Sequence, residues 1–150
     1  MLESASTIVV PVDFSAASKT LLSEAGNLAA LYGAEIHLLH VYQDVFSVLS
    51  MRTFDLNEEV VEEVMIKEMR EKCDTLLDSV DISVPVTIVM RKGETAEEIL
   101  DYISEVKADL AVIATNARSG FEHFFIGSIA QRVVRSAPCP VVTIRAATRS

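Results

Sequence analysis

The residues best suited to chemistry lie in the loop at residues 114–128, which follows an apolar run and precedes a helical pattern. A helix N-terminus presents unpaired backbone N–H groups and the positive end of a dipole, so it can hold an anion. Gly127 has no Cβ and lets a phosphate approach the backbone closely, and Ser128 can offer that phosphate a hydroxyl. The spacing of Ser128 and Gln131 also fits a capping box, in which the hydroxyl serves its own helix instead. A Gly-Ser pair before a helix is therefore a weak signal for a phosphate site.

Two other candidates follow apolar runs nearer the N-terminus. Asp13 comes directly after residues 7–12, and its carboxylate can accept hydrogen bonds from a ribose or from a base edge. An Asx-type turn before a helix capped by Ser15 explains the same residue, and for Asp13 taken alone we favour this structural role. Val41 ends the run at residues 35–41 and fits one wall of a flat pocket for a base, although taken alone it is merely a core position.

An alternating series of strands and helices must position these candidates. Apolar, β-branched runs predict strands at residues 7–12, 35–41, 84–90, 110–114 and 141–144. Helical periodicity predicts helices at residues 15–33, 57–79, 95–106 and 128–136, the third of them opened by a capping box at Thr95. The strict alternation indicates an α/β fold: a single domain, residues 1–150, with a parallel sheet doubly wound by helices on both faces. Such folds bind ligands at the carboxyl ends of their strands.

The composition excludes several classes of partner. Half of the 150 residues are hydrophobic, which is typical of a globular chain. The formal net charge is −9 and the pI is about 4.7, so a basic surface that binds nucleic acid is not expected. No apolar run approaches the ~20 residues that span a bilayer, and the N-terminus lacks a signal-peptide pattern, so we predict a cytoplasmic protein.

The cysteines and histidines do not predict a metal site. Cys73 and Cys139 are far apart and form no C-x-x-C motif, which favours structural thiols in a reducing compartment. His37 and His40 have an odd spacing on one strand, which places them on opposite faces of the sheet, and His123 lies in a third context.

Four stretches carry a resemblance to a known family: V-P-V-D-F-S at residues 10–15, L-L-H-V at 38–41, G-E-T-A-E-E-I-L at 93–100, and the block at 114–145. On these motifs the chain resembles the universal stress protein family over essentially its whole length. The resemblance implies a Rossmann-like, adenine-nucleotide-binding sandwich with a five-stranded sheet of order 3-2-1-4-5. It also implies a homodimer formed through the last strand, residues 141–144.

One branch of that family holds ATP between the ends of strands one and four with the pattern G-x2-G-x9-G-[ST]. Laid on this sequence, the pattern falls on Ala114, Ala117, Gly127 and Ser128, so the spacing is kept and the first two glycines are alanine. Each alanine adds a methyl group and, where the backbone is left-handed, strain of about 1–2 kcal/mol, but every backbone N–H group remains.

The resemblance also implies nucleotide-binding roles outside the pattern, for Pro11, Asp13, Val41, Ile113 and Ile129. Asp13 and Val41 match positions that contact the ribose or the adenine. Ile113 would lie under the base, and Ile129 would donate a backbone N–H near the phosphates. Arg118 keeps a cation in the loop, although a solvated loop charge explains it as well.

Two functions remain open at this point. The first is a cytoplasmic, dimeric stress or regulatory protein that binds ATP or another adenine nucleotide, with Mg²⁺ on the phosphate oxygens, as a conformational effector. The second is a nucleotide-free dimeric interaction module whose phosphate loop is degraded by Ala114 and Ala117. The retained Asp13, Val41 and Gly127-Ser128 pair favour the first. An enzyme ranks last, because no side chain is an evident general base, and turnover is expected to be slow or absent.

Overall fold

The computed structural model describes residues 6–43, 57–115 and 127–145. Five strands and four helices alternate along these residues. The strands are β1 (Thr7–Pro11), β2 (Glu35–Tyr42), β3 (Val86–Lys92), β4 (Leu110–Thr115) and β5 (Val141–Arg145), and the helices are α1 (Ala17–Tyr32), α2 (Glu58–Asp78), α3 (Thr95–Val106) and α4 (Ser128–Ser136). No helix in this described part of the chain is both long enough and apolar enough to cross a bilayer.

The strands form one sheet of order β3-β2-β1-β4-β5 in which every neighbouring pair is parallel. This is the order that the resemblance implied, and the predicted α/β fold is confirmed. β4 lies inside the sheet, and its first four residues are all buried. Its unbroken apolar run reflects burial on both faces, since a parallel strand covered by helices on each side has no solvated face.

The helices cover the two faces of the sheet with separate cores. On one face α1 and α2 pack through Leu22 and Cys73 against alternate strand residues such as Ile36. On the other face α3 and α4 pack through Ile103 and Val133 against the complementary set of strand residues. Neighbouring residues of one strand belong to different cores because successive side chains point to opposite faces.

The predicted helix caps are wrong at three positions. The N-caps are Ala16, Glu94 and Gly127, each one residue away from the predicted Ser15, Thr95 or Ser128. Glu94 replaces Thr95 because its longer side chain folds back and accepts a hydrogen bond from the backbone N–H of Glu97 at 2.6 Å. Ser15 lies in the turn before α1, where its carbonyl accepts the N–H of Ser18 at 3.0 Å.

Two helices end on a residue with a left-handed backbone conformation, so we expect opposite substitutions at these two positions to have opposite effects on stability. Gly33 closes α1 with φ 66°, and Lys107 closes α3 with φ 52°. A Cβ costs about 1–2 kcal/mol in this conformation, so Gly33→Ala should lower the free energy of unfolding by about 1 kcal/mol. Lys107→Gly should raise it or leave it unchanged, although glycine also loosens the unfolded chain. Urea denaturation measures both, and a stabilised Gly33→Ala variant would contradict the assigned φ.

Candidate functional site

A cavity of about 360 Å³ opens at the carboxyl ends of β1, β2 and β4. Its lining comprises Pro11, Val12, Asp13, Ser15, Ser18, Leu21, Leu39, Val41, Thr95, Ile99, Ile113, Ala114, Gly127, Ser128, Ile129, Ala130 and Val133. Eight of the ten candidate residues named from the sequence are among them, although they come from four separate parts of the chain. The other two, Ala117 and Arg118, lie outside the described residues.

The inner wall of the cavity is apolar. Ile113 is only 4% exposed and belongs to the same packed cluster as Leu39, with Val41 against its edge. Ile99 from α3 belongs to the same cluster and also lines the cavity. Val41 thus fits both descriptions given from the sequence, since it contacts the core and also faces the cavity. The wall provides a dry, flat surface of the kind that a planar ring occupies.

Asp13 forms the acidic corner of the cavity. Its Oδ1 atom accepts hydrogen bonds from the Ser15 backbone N–H at 2.9 Å and from the Ser18 hydroxyl at 3.3 Å. The contact with Ser15 is the Asx-type turn that the sequence suggested. Burial disfavours the ionised carboxylate, but the hydrogen bonds from Ser15 and Ser18 outweigh it and lower the pKa of Asp13. Asp13 is therefore ionised at neutral pH. Both of these hydrogen bonds are accepted by Oδ1, so the Oδ2 atom can accept a hydrogen bond from a ligand.

The backbone beside Asp13 is held in an unusual conformation. Phe14 has φ 62°, a left-handed value that costs a bulky residue about 1–2 kcal/mol. The ring of His40 lies 4.4 Å from the Phe14 ring, and its Nδ1 atom is 2.8 Å from the Val12 carbonyl oxygen. The Lys72 ammonium group of α2 lies 5.7 Å from the centre of the Phe14 ring. His40 thus contacts the residues on both sides of Asp13 and fixes the turn that presents its carboxylate.

His37 has a structural role on the opposite face of the sheet. His37 lies 2.7 Å from the Tyr102 hydroxyl and 2.8 Å from a Glu35 carboxylate oxygen. The prediction that the two histidines lie on opposite faces is confirmed, since His37 contacts α3 and His40 contacts the turn before α1. Within the described ranges no three histidine, cysteine or acidic side chains are grouped closely enough to hold a metal ion.

The far end of the cavity is the start of α4. Gly127 occupies the N-cap position and has no side chain with which to cap the helix. The first backbone hydrogen bond of the helix runs from the Gln131 N–H to the Gly127 carbonyl at 2.9 Å. The N–H groups of Ser128, Ile129 and Ala130 come before this bond and have no acceptor within α4. These N–H donors and the positive end of the helix dipole both favour the binding of an anion at this end of the cavity.

A second helix also begins at the cavity, and the sequence analysis gave it no site role. Thr95, the first residue of α3, lines the cavity and follows the N-cap Glu94. Glu94 Oε1 lies 3.2 Å from a guanidinium nitrogen of Arg132, which belongs to α4. Their side chains are 53% and 50% exposed, so the pair contributes no more than about 1 kcal/mol to stability. The signal was present in G-E-T-A-E-E, because Glu94 follows a strand end just as Asp13 does.

The comparisons with known proteins agree with this architecture. A model of the universal stress protein family matches residues 5–145. A universal stress protein of Methanocaldococcus jannaschii is 30% identical over 139 residues, which cover 92% of this chain and 81% of that protein.

Two solved structures share the fold at lower identity. A universal stress protein in complex with cAMP is 20% identical, with a TM-score of 0.67, over 95% of this chain and 98% of its own. The universal stress protein from Archaeoglobus fulgidus in complex with dAMP is 22% identical, with a TM-score of 0.60, over 93% and 97%. The family model spans nearly the whole sequence, and the relative from Methanocaldococcus jannaschii covers most of it. This chain belongs to the universal stress protein family.

Proposed function

We propose that this protein is a cytoplasmic, dimeric regulatory module that binds an adenine nucleotide, ATP being the ligand that the loop spacing favours, without efficient turnover. The observation that carries the proposal is the cavity itself. It brings the acidic turn at Asp13, the apolar wall at Ile113 and the uncapped start of α4 at Gly127 around one space. These three features differ in chemistry, as do the ribose, base and phosphates of a nucleotide.

Each part of the cavity suits one part of the ligand. The wall of Val41 and Ile113 would take the adenine ring, and the Asp13 carboxylate would accept a hydrogen bond from a ribose hydroxyl. The N–H groups of Ser128 and Ile129 would donate to phosphate oxygens at the start of α4. Mg²⁺, when present, would be held mainly by the phosphates themselves, as is usual for this ion.

The adenine class of ligand is supported by the relatives solved with cAMP and dAMP. The cytoplasmic assignment is supported by Cys73 and Cys139, which are both free thiols, as expected in a reducing compartment. Burial raises the pKa of the Cys73 thiol to about 11, with the nearby Asp74 charge acting in the same direction. This thiol is therefore protonated at neutral pH, which suits a structural role.

Co-purified nucleotide tests the proposal directly. Protein purified from cells, denatured and analysed by anion-exchange chromatography should release ATP or ADP. In a thermal-shift assay, ATP with Mg²⁺ at 100 times the Kd should stabilise the fold by about 2.7 kcal/mol. If no nucleotide is released and millimolar ATP gives no shift, the protein is instead the nucleotide-free interaction module.

The homodimer is proposed from the position of β5. This strand forms one edge of the sheet, and its five residues pair only with β4 among the described strands. An unpaired edge is a liability that a second copy of the same strand removes. Val142 and Ile144 are half-buried at this edge and would gain apolar contacts in the pair.

A further inference from the structure

One ion pair beside the cavity links the N-cap of α3 to the middle of α4. α4 begins at Ser128 on one side, and α3 begins at Thr95 on the other. Glu94 at the α3 side holds Arg132 of α4 with 3.2 Å between Oε1 and the guanidinium nitrogen. The same carboxylate uses Oε2 to cap α3 through the Glu97 N–H. Glu94 is therefore fixed by its own helix, whereas Arg132 is held only by a charge contact among the described residues.

Arg132 lies on the face of α4 that starts at Ser128. Residues four apart on a helix are neighbours, about 5–6 Å apart at their Cβ atoms. Helical side chains also lean toward the N-terminus, so the Arg132 side chain extends back toward the Ser128 end of α4. This is the end of the cavity at which the nucleotide phosphates are proposed to lie.

The cavity has no cation of its own in the described part of the chain. Lysine and arginine are absent from its described lining, although Asp13 places a negative charge at the opposite end. Among the described residues, a positive partner for a phosphate chain can therefore come only from beside this lining. A guanidinium group can bind a phosphate with two parallel hydrogen bonds. Arg132 makes only one contact with the Glu94 carboxylate, at 3.2 Å, so its interaction with a phosphate would be the stronger of the two.

We propose that Arg132 is a phosphate-binding side chain of this site and that Glu94 holds it at the rim until a phosphate takes it. This inference rests on the proposed nucleotide site. It adds the residue by which that site would distinguish nucleotides that carry phosphates from adenosine. Adenine nucleotides with a phosphate chain draw Arg132 away from Glu94. Adenosine, which has no phosphate, leaves the ion pair in place.

Binding of adenosine, AMP and ATP to nucleotide-free protein tests this inference. Isothermal titration calorimetry on the wild type, Arg132→Gln and Glu94→Gln gives a Kd for each ligand. Arg132→Gln should weaken ATP about 10-fold, the low end for a hydrogen bond to a charged group, and leave adenosine within about twofold. Glu94→Gln should strengthen ATP by a few-fold, because glutamine keeps the oxygen that caps Glu97 and removes the competing charge.

The matched control is Arg135→Gln, which removes an equal charge from the last turn of the same helix. It should change ATP affinity by less than about twofold, since exposed charges at that distance are screened by salt. Thermal melts of all three variants establish that the fold is intact.

The possible outcomes separate the two proposals. A wild type that binds none of the three ligands overturns the proposed nucleotide site and this inference with it. A wild type that binds ATP while Arg132→Gln leaves its Kd unchanged overturns the role of Arg132 alone. An equal loss for adenosine and ATP in Arg132→Gln also overturns it, because the ion pair would then only hold α3 and α4 together.

Discussion

An Asp13→Ala variant is expected to bind adenine nucleotides about 10- to 100-fold more weakly than the wild type. A hydrogen bond to a charged group is worth about 1.5–3 kcal/mol, and each 1.4 kcal/mol corresponds to a factor of ten in Kd. The loss has two sources. The variant removes the proposed acceptor for the ribose, and it releases the turn that the Ser15 N–H and the Ser18 hydroxyl hold in place. Calorimetry with ATP measures the effect.

Asp13→Asn separates these two sources. Asparagine keeps an Oδ1 acceptor for the Ser15 N–H, so the turn and the melting temperature should be retained. The negative charge is lost, so the affinity should fall between those of the wild type and Asp13→Ala. Equal Kd values for the wild type and both variants would mean that Asp13 contributes only to the turn before α1.

A Thr143→Pro variant is expected to convert the proposed dimer into a monomer. The Ala111 N–H donates to the Pro140 carbonyl at 3.1 Å, and Ala111 is paired with Val141. In a regular parallel ladder this register directs the Val142 N–H toward β4 and the Thr143 N–H toward the open edge. Proline at Thr143 removes a donor that only a second chain would use, and its ring obstructs strand pairing. Size-exclusion chromatography with light scattering gives the mass.

The control for this variant is Thr143→Val, which keeps the backbone N–H and the branched shape of the side chain. It should remain dimeric. Val142→Pro is unsuitable as a test, because its N–H belongs to the ladder with β4, and its loss would loosen β5 itself. A dimer that survives Thr143→Pro with an unchanged melting temperature would place the subunit contact elsewhere on the molecule.

The hydrophobic pattern predicted the interior of the sheet better than its ends. The run at residues 110–114 was assigned correctly because Leu110 to Ile113 are buried on both faces. β3 was predicted to stop at residue 90, but Arg91 and Lys92 continue it by pairing with Val41 and Tyr42. Arg91 can lie in a strand because Glu98 and Glu105 bind its guanidinium group. The apolar pattern indicates which residues are buried. Strand pairing, by contrast, is made by backbone groups, so polar residues can take part in it.

Some residues of the site could be identified from their neighbours in the sequence, whereas others are placed there only by tertiary packing. Asp13 and Gly127 were identified because each follows or precedes an element in the chain. Thr95 was not, and neither was the Glu94–Arg132 ion pair beside it, since both depend on how α3 and α4 pack on the sheet. The left-handed backbone of Phe14 was also unforeseen, because phenylalanine has no local preference for it and His40 is 26 residues away in the chain.

The start of α4 links the proposed ligand to the local folding of the helix. Gly127 supplies no side-chain cap, so the first turn depends on acceptors from outside the helix, of which water is one. A bound phosphate would replace that water with stronger acceptors and would itself become the cap of α4. Fraying of this turn and release of the nucleotide would then be a single event. The residence time of the ligand would then be limited by the opening of the first turn of α4, a helix that the buried Val133 anchors to the core.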